Sequence, residues 1–342
     1  MLMVRRILFS SLITIFVAIP VIAVGQAQVE SSYQVPLTEY GHPDLQGLWT
    51  DQTRTPLQRP VALGIKRTYT PEEAAELEQA ALIGATAAQQ PLDPNRPAPA
   101  VGGTITQVAD VNFARFITRY IPVKGEYLTS LIVEPEDGRL PFKDNPPLDI
   151  FTKRTNAGFE QFDGPEIRPA NERCLGNPGQ LPLIDPLSID GPWRNMQIVQ
   201  NEDYVLIFGE YHVVARIVRL NKQHHEPSFP KFYGDSVGQW EGNTLVVHTK
   251  SFKPDQSTSR IPSSRALEIV EQYTRVSESE IFFEYRITDP EIYTQTITAQ
   301  MTLVSMPVNE RLYESACHEG NYSLSGILAG ARRQEADARL SQ

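Results

Sequence analysis

The stretch Gly234–Phe252, GDSVGQWEGNTLVVHTKSF, decides the fold. It reads as a β-hairpin. Val237–Trp240 forms one arm, Glu241-Gly242-Asn243 the turn, and Thr244–Phe252 the other arm. Gly-Asn supplies the positive φ that a tight turn needs, and β-branched residues follow at once. Similar signals continue on both sides. Upstream are Met196–Gln200, Tyr204–Phe208 and Val213–Leu220, then a polar loop that holds His224 and His225. Downstream are Leu267–Arg275, Ile281–Ile287 and Thr294–Val304, with Arg311–Ala316 as a candidate closing strand. Short strands at this spacing, with tight turns and no helices between them, predict a mainly β fold. The expected form is an antiparallel, barrel-like meander, lipocalin-like in its strand order. Closure is favoured over an open sheet because it removes unpaired edges, although a sandwich fits the same pattern.

The N-terminal half reads differently. Residues 28–190 are rich in proline and predict a covering region with few strands, ahead of a barrel domain at 191–342. Leu45, Leu48 and Trp49 of GHPDLQGLWT are placed to pin this arm to the body. Thr70-Pro71-Glu72-Glu73 combines an N-cap, a proline at the first helical position and a glutamate three residues after the cap. It predicts a helix to about Ile83, with Leu77, Ala81 and Leu82 inward. Residues 89–100 read as a linker and Tyr127–Glu134 as a strand. A helix is expected around Thr152–Phe159, and a terminal one over Ser323–Leu340.

The chain has 342 residues, 41% hydrophobic and 21% charged, with a net charge of −10. This acidity argues against nucleic acid as a partner. The first 27 residues have the form of an export signal. Arg5 and Arg6 precede the apolar run Ile7–Val24, and Gly25-Gln26-Ala27 is a small-x-small cleavage site. The mature protein is therefore expected in the periplasm or outside the cell, with no stable membrane insertion. The alternative is an uncleaved N-terminal anchor. The two cysteines, Cys174 and Cys317, are the expected number for one disulfide in an exported protein; two buried free thiols are the alternative. Such a bridge closes a loop long enough to contribute up to roughly 5 kcal/mol.

Candidate chemistry gathers at a few positions. Arg216 lies between Ala215 and Ile217 inside a strand, where a guanidinium needs a carboxylate. Glu210 is the nearest in sequence, and Asp235, Glu241 and Glu271 are alternatives. With His212 nearby, these residues read either as a polar cluster at a barrel mouth or as a structural ion pair. His248 reads as an ordinary strand histidine and His224-His225 as solvated loop residues. Six histidines without H-x-H or H-E-x-x-H spacing do not predict a zinc site, and no EF-hand spacing for calcium occurs. Ala316-Cys317-His318-Glu319-Gly320-Asn321-Tyr322 is the densest polar cluster. His318 with Glu319 has the make-up of an acid–base pair. The structural alternative is a bridged Cys317, a turn at Gly320 and a helix cap at Asn321. No G-x-S-x-G, P-loop or dinucleotide fingerprint is present, so no serine hydrolase, kinase or nicotinamide enzyme is indicated.

These motifs are similar to those of a large, mostly uncharacterised family of exported bacterial proteins. The resemblance covers nearly the whole mature chain. It runs from Gly41-His42-Pro43-Asp44-Leu45-Gln46-Gly47-Leu48-Trp49 through Ser130–Val133, Asp137-Gly138-Arg139 and Glu172-Arg173-Cys174. It continues in Glu210 with Arg216, Gly234-Asp235-Ser236 with Trp240-Glu241-Gly242, Glu271 with Thr274-Arg275, and Asp289-Pro290, and ends in Ala316–Tyr322. Two positions depart from the family pattern: Val213 and Glu268 stand where its members tend to carry histidine. The resemblance implies an exported location and raises the interest of the polar clusters, without implying a reaction.

The expected function is a cofactor-free, acid/base enzyme: a lyase, isomerase, cyclase or hydrolase acting on a small organic molecule. Glu210, His318 and Glu319 are the expected catalytic groups. His212, Arg216, Asp235, Trp240, Glu271 and Tyr322 are the expected substrate-binding groups, and no metal ligands are assigned. The alternatives are a lipocalin-like binding protein for an apolar or carbohydrate-like ligand, and a structural envelope component.

Overall fold

The computed structural model describes residues 33–88, 95, 118–147, 150–170, 172–175, 195–210, 214–226, 229–253 and 261–341. The expected export signal and His212 lie outside them. In chain order the strands are β1 (Gly47–Thr50), β2 (Thr68–Tyr69), β3 (Tyr127–Leu128), β4 (Ile132–Glu134), β5 (Asn195–Gln200), β6 (Tyr204–Gly209), β7 (Val214–Leu220), β8 (Asp235–Glu241), β9 (Thr244–Lys250), β10 (Glu268–Arg275), β11 (Glu280–Thr288) and β12 (Ile297–Ser305). The helices are α1 (Pro71–Ala88), α2 (Ile150–Asn156) and α3 (Tyr322–Leu340).

Among the described residues the main sheet is a closed barrel. β5 to β12 follow one another around it, and β1 joins β12 back to β5. The central hairpin has the expected register: Glu241 faces Thr244 across Gly242-Asn243, and Gly242 takes a φ of +59°. Side chains alternate strictly. Leu245, Val247 and Thr249 point into the barrel, while Thr244, Val246, His248 and Lys250 point outward. The inward residues of all strands, with Trp49, Phe283, Tyr285 and Met301 among the largest, form one apolar cluster. At about 25 cal/mol per Å² of apolar surface, this burial is the main stabilising term.

Three features differ from the expectation. First, β7 and β8 pair in parallel, with Val218 opposite Ser236, so the sheet is mixed. A parallel pair cannot be joined by a tight turn; the chain must travel back along the barrel. The described residues of that return, 221–226 and 229–234, include His224, which reaches the outward-facing His248. Second, Arg311–Ala316 is not a strand. The closing strand is β1, from the N-terminal arm: Trp49 lies opposite Met196 on β5 and Ser305 on β12. The arm is fixed by Gln200, whose Oε1 accepts from Leu45 N at 2.6 Å and whose Nε2 donates to Pro43 O at 3.1 Å. Trp49 Nε1 donates to Leu45 O at 2.9 Å. Third, Tyr127–Glu134 divides into β3, which pairs with β2, and β4, which pairs with β12.

Helix α1 begins with the expected capping box: Thr70 N donates to Glu73 Oε2 at 2.9 Å, and Glu73 N to Thr70 Oγ1 at 3.2 Å. Its inward residues are Ala74 and Ala85, whereas Leu77 and Leu82 are exposed. Small side chains let this weakly amphipathic helix lie close to the body. The Cys174–Cys317 disulfide is present, between residues 143 apart in sequence. It ties the covering region to the turn before α3 rather than to the last strand. Asn321 serves as the cap of α3, accepting from Leu324 N, and also donates to Glu172 O at 2.7 Å. No described helix is long and apolar enough to cross a membrane.

Candidate functional site

Arg216 points into the barrel and is 3% exposed; Glu271, on β10, is fully buried. The guanidinium meets the carboxylate in a fork, Nη1 to Oε2 at 2.5 Å and Nη2 to Oε1 at 2.8 Å. Tyr273 closes the group, donating from its hydroxyl to Glu271 Oε1 at 2.8 Å and lying 3.1 Å from Arg216 Nη2. Burial disfavours the charged Arg216, but the Glu271 carboxylate outweighs it and raises the guanidinium's pKa. Burial next to that carboxylate pushes the Tyr273 hydroxyl well above its ordinary value. Arg216 is therefore held charged and Tyr273 neutral. Within this trio, Arg216 Nε is the one buried polar side-chain atom without a hydrogen-bond partner among the described residues.

Glu210, placed nearest to Arg216 by sequence, has other work. Its Oε2 accepts from Asn195 Nδ2 at 2.9 Å and its Oε1 from Tyr313 N at 2.6 Å. It clamps the segment after β12 to the β5–β6 end of the barrel. His318 and Glu319 are exposed in the turn before α3, and Tyr322 is 81% exposed. No described contact joins them to Glu210, so the expected catalytic trio is not assembled. Trp240 packs on the core at the far end of β8 from Asp235, with its ring against His42 at 5.6 Å.

The described structure concentrates titratable side chains elsewhere, where the return segment crosses the outer face of β8 and β9. Asp235 opens β8 and is 3% exposed. Its Oδ2 accepts from Arg219 Nη2 at 2.8 Å, from His225 N at 3.0 Å and from His224 Nδ1 at 3.1 Å; its Oδ1 accepts from Lys231 Nζ at 3.0 Å. Burial alone would push this carboxyl up. The bonds from His225 N, Lys231 and His224 outweigh it and hold Asp235 well below the usual carboxylate range. Gly234, at φ +71°, lets the segment approach: a Cβ there would lie 2.7 Å from Thr249 Cγ2 and 2.9 Å from Lys250 O.

From Asp235 a chain of hydrogen bonds runs outward. His224 Nε2 lies 3.1 Å from His248 Nδ1, and His248 Nε2 lies 3.1 Å from Glu268 Oε2. Donor and acceptor arithmetic fixes the tautomers. Ionised Asp235 only accepts, so His224 carries its proton on Nδ1. Burial, first, and the nearby His248 and Lys250 charges lower the pKa of His224 against the pull of Asp235. The ring is therefore neutral, and its Nε2 accepts from His248 Nδ1. His248 Nε2 faces Glu268 Oε2 at the solvent end of the chain.

That end opens on a cleft of about 320 Å³ lined by Pro230, Lys250, Ser251, Phe252, Arg265, Ala266, Leu267 and Glu268. Phe252 and Leu267, each 1% exposed, give it an apolar floor. Both walls are braced. Asp289 accepts from Ser264 N at 2.5 Å and from Ser264 Oγ at 2.8 Å, fixing the loop that carries Arg265. Lys231 N donates to Ser251 O at 3.0 Å, and Lys253 N to Lys231 O at 2.9 Å, fixing the opposite wall. A wider cleft of about 710 Å³ beside α2 holds Arg168 and Glu172, but these already pair with each other at 2.7 Å. Among the described residues no group of three His, Cys, Asp or Glu side chains is close enough to hold a metal ion.

Comparison with protein-family models, with curated proteins and with solved structures finds no match to this chain. The site therefore rests on its own geometry. Of the expected site residues, Asp235 takes part in it, as the buried anchor, while Arg216 and Glu271 form a separate interior group. His224, His248 and Glu268 were missed because their meeting depends on the path of the return segment. The one sequence signal was the pair of outward-facing residues His248 and Lys250 beside Glu268 on the next strand.

Proposed function

We propose that the protein is an exported enzyme that transfers protons to or from a small organic molecule at the cleft beside Glu268. The observation that carries this reading is the chain Asp235–His224–His248–Glu268, buried at one end and open to a braced cleft at the other. Asp235 fixes the tautomer and orientation of His224, and His224 does the same for His248. His248 and Glu268 lie within hydrogen-bond distance of each other, which offers the cleft an imidazole and a carboxylate for acid and base work. Such a pair suits a lyase or isomerase step, in which one position loses a proton and another gains one. The expected roles of Glu210 and of His318 with Glu319 are replaced by this set.

A binding protein without turnover would hold its ligand inside the barrel. The described inward side chains pack there as one cluster, which favours the outer cleft instead. The resemblance to exported proteins and the Cys174–Cys317 bridge support an extracytoplasmic location.

The test is solvent-deuterium incorporation. Mature protein is incubated in D2O with a pool of hydroxy acids, keto acids, sugars and their neutral amides, and the pool is read by mass spectrometry. At least one compound is expected to exchange or convert, with the rate falling by about 10² to 10⁴ in His248→Gln and Glu268→Gln. No conversion of any compound, or conversion unchanged in both variants, would overturn the reading.

A further inference from the structure

We infer that the cleft takes an anionic substrate, one bearing a carboxylate or phosphate group held between Lys250 and Arg265. This inference rests on the proposed proton-transfer site and names the class of molecule it acts on.

The charge at this cleft runs against that of the chain. The whole chain carries −10, yet the ionisable groups around this cleft are mostly basic. Arg219 and Lys231 are engaged by Asp235, and Glu268 is engaged by His248. Lys250 and Arg265 both line the cleft, and neither has a carboxylate partner among the described residues. Among the described residues, both cations line the cleft without an ion pair of their own. What marks these two cations is their place: both line one braced cleft together with Glu268. A low, apolar floor of Phe252 and Leu267 strengthens the field of the two cations by keeping water to one side.

The placement also orients the chemistry. Lys250 and Glu268 line the same cavity, and Arg265 lies three residues before Glu268 on a loop clamped by Asp289. An anionic group seated on Lys250 and Arg265 brings the atoms next to it against Glu268 and its partner His248. Lys250 is also one of the charges that act on His224, so an anion that neutralises it will be felt along the chain.

The experiment is a binding titration that needs no turnover. Isotope-labelled mature protein is titrated with succinate, with inorganic phosphate and with neutral succinamide at constant ionic strength. The amide signals of Lys250, Ser251, Arg265 and Ala266 and the ring signals of His224 and His248 are followed. Saturable shifts are expected with at least one anion and not with succinamide. Lys250→Ala and Arg265→Ala should each weaken binding about tenfold, and Lys250→Glu should abolish it. Both positions reach solvent, and unchanged thermal unfolding will show that the variants are folded. Succinate alone would identify a carboxylate, and phosphate alone a phosphate. Glu268→Gln should keep anion binding while losing deuterium transfer, so a failure of catalysis is separable from a failure of this inference. No saturable shift with either anion, or an affinity unchanged from wild type in both alanine variants, would overturn it.

Discussion

The barrel interior and its outer face each hold a carboxylate, a base and a hydrogen-bonded partner, but only one arrangement reaches solvent at one end. Inside, Arg216, Glu271 and Tyr273 satisfy one another almost completely, and no water-facing member remains. Outside, Asp235, His224, His248 and Glu268 form a graded line, from a carboxylate that is 3% exposed to one whose side chain is 52% exposed. A buried ion pair roughly balances desolvation against attraction, so its role is to fix strand pairing and shape. A line with one open end can exchange with solvent or substrate. Burial, rather than residue type, separates the interior cluster from the proposed site.

The largest effect should come from breaking the interior pair on one side. Glu271→Ala leaves Arg216 buried without a partner and should cost about 3 to 5 kcal/mol in urea unfolding. A double change to Arg216→Met with Glu271→Leu should recover most of that loss. A cost below 1 kcal/mol (about the value of an exposed pair) would mean the cluster is solvated in the native state.

Asp235→Asn should come next, with a loss of about 3 kcal/mol, because one carboxylate collects four donors. Its pH dependence carries a sign. The folded pKa of Asp235 is depressed, so its stabilisation is complete above the ordinary value of 3.8 and is lost only as pH falls through the lower folded value. The gap between wild type and Asp235→Asn should therefore be constant from pH 7 to pH 5 and shrink only below 3.8. His224, whose folded pKa is also lowered, adds a smaller term that is complete above 6.5 and is lost as pH falls through its folded value. Replacing it with Gln should flatten that part of the stability profile.

The smallest change in stability should follow Glu268→Gln, under about 0.5 kcal/mol because the side chain is half exposed. The same variant should lose deuterium transfer by at least about 10²-fold. The contrast with Glu271 is the point: two glutamates on β10, three residues apart, one costly to stability and the other to chemistry.

The strands were legible because each carries a period-two pattern, as in Leu245, Val247 and Thr249 against Val246, His248 and Lys250. The Gly242-Asn243 turn set the central register, and the Thr70–Glu73 capping box marked α1. The parallel β7–β8 pair was not legible. Residues 221–234 are polar and equally compatible with a long antiparallel connection, and pairing direction leaves no local mark. β1 is only four residues long, and its closing role depends on β5 far along the chain. The candidate site inherits this limit. Asp235 could be singled out as a strand-edge carboxylate, but His224 reaches His248 only because the segment returns over the outer face. Arg216 was rightly read as needing a carboxylate; nearness in sequence pointed to Glu210, while the curvature of the barrel brings Glu271 across its interior.

The most direct test is the protonation pattern of the histidine chain, read from ring nitrogen signals in the mature protein at pH 7. The account predicts neutral His224 with its proton on Nδ1, a proton on His248 Nδ1, and loss of this pattern in Asp235→Asn. A His224 ring that is protonated on Nε2, or that averages between tautomers as a solvated histidine does, would contradict it.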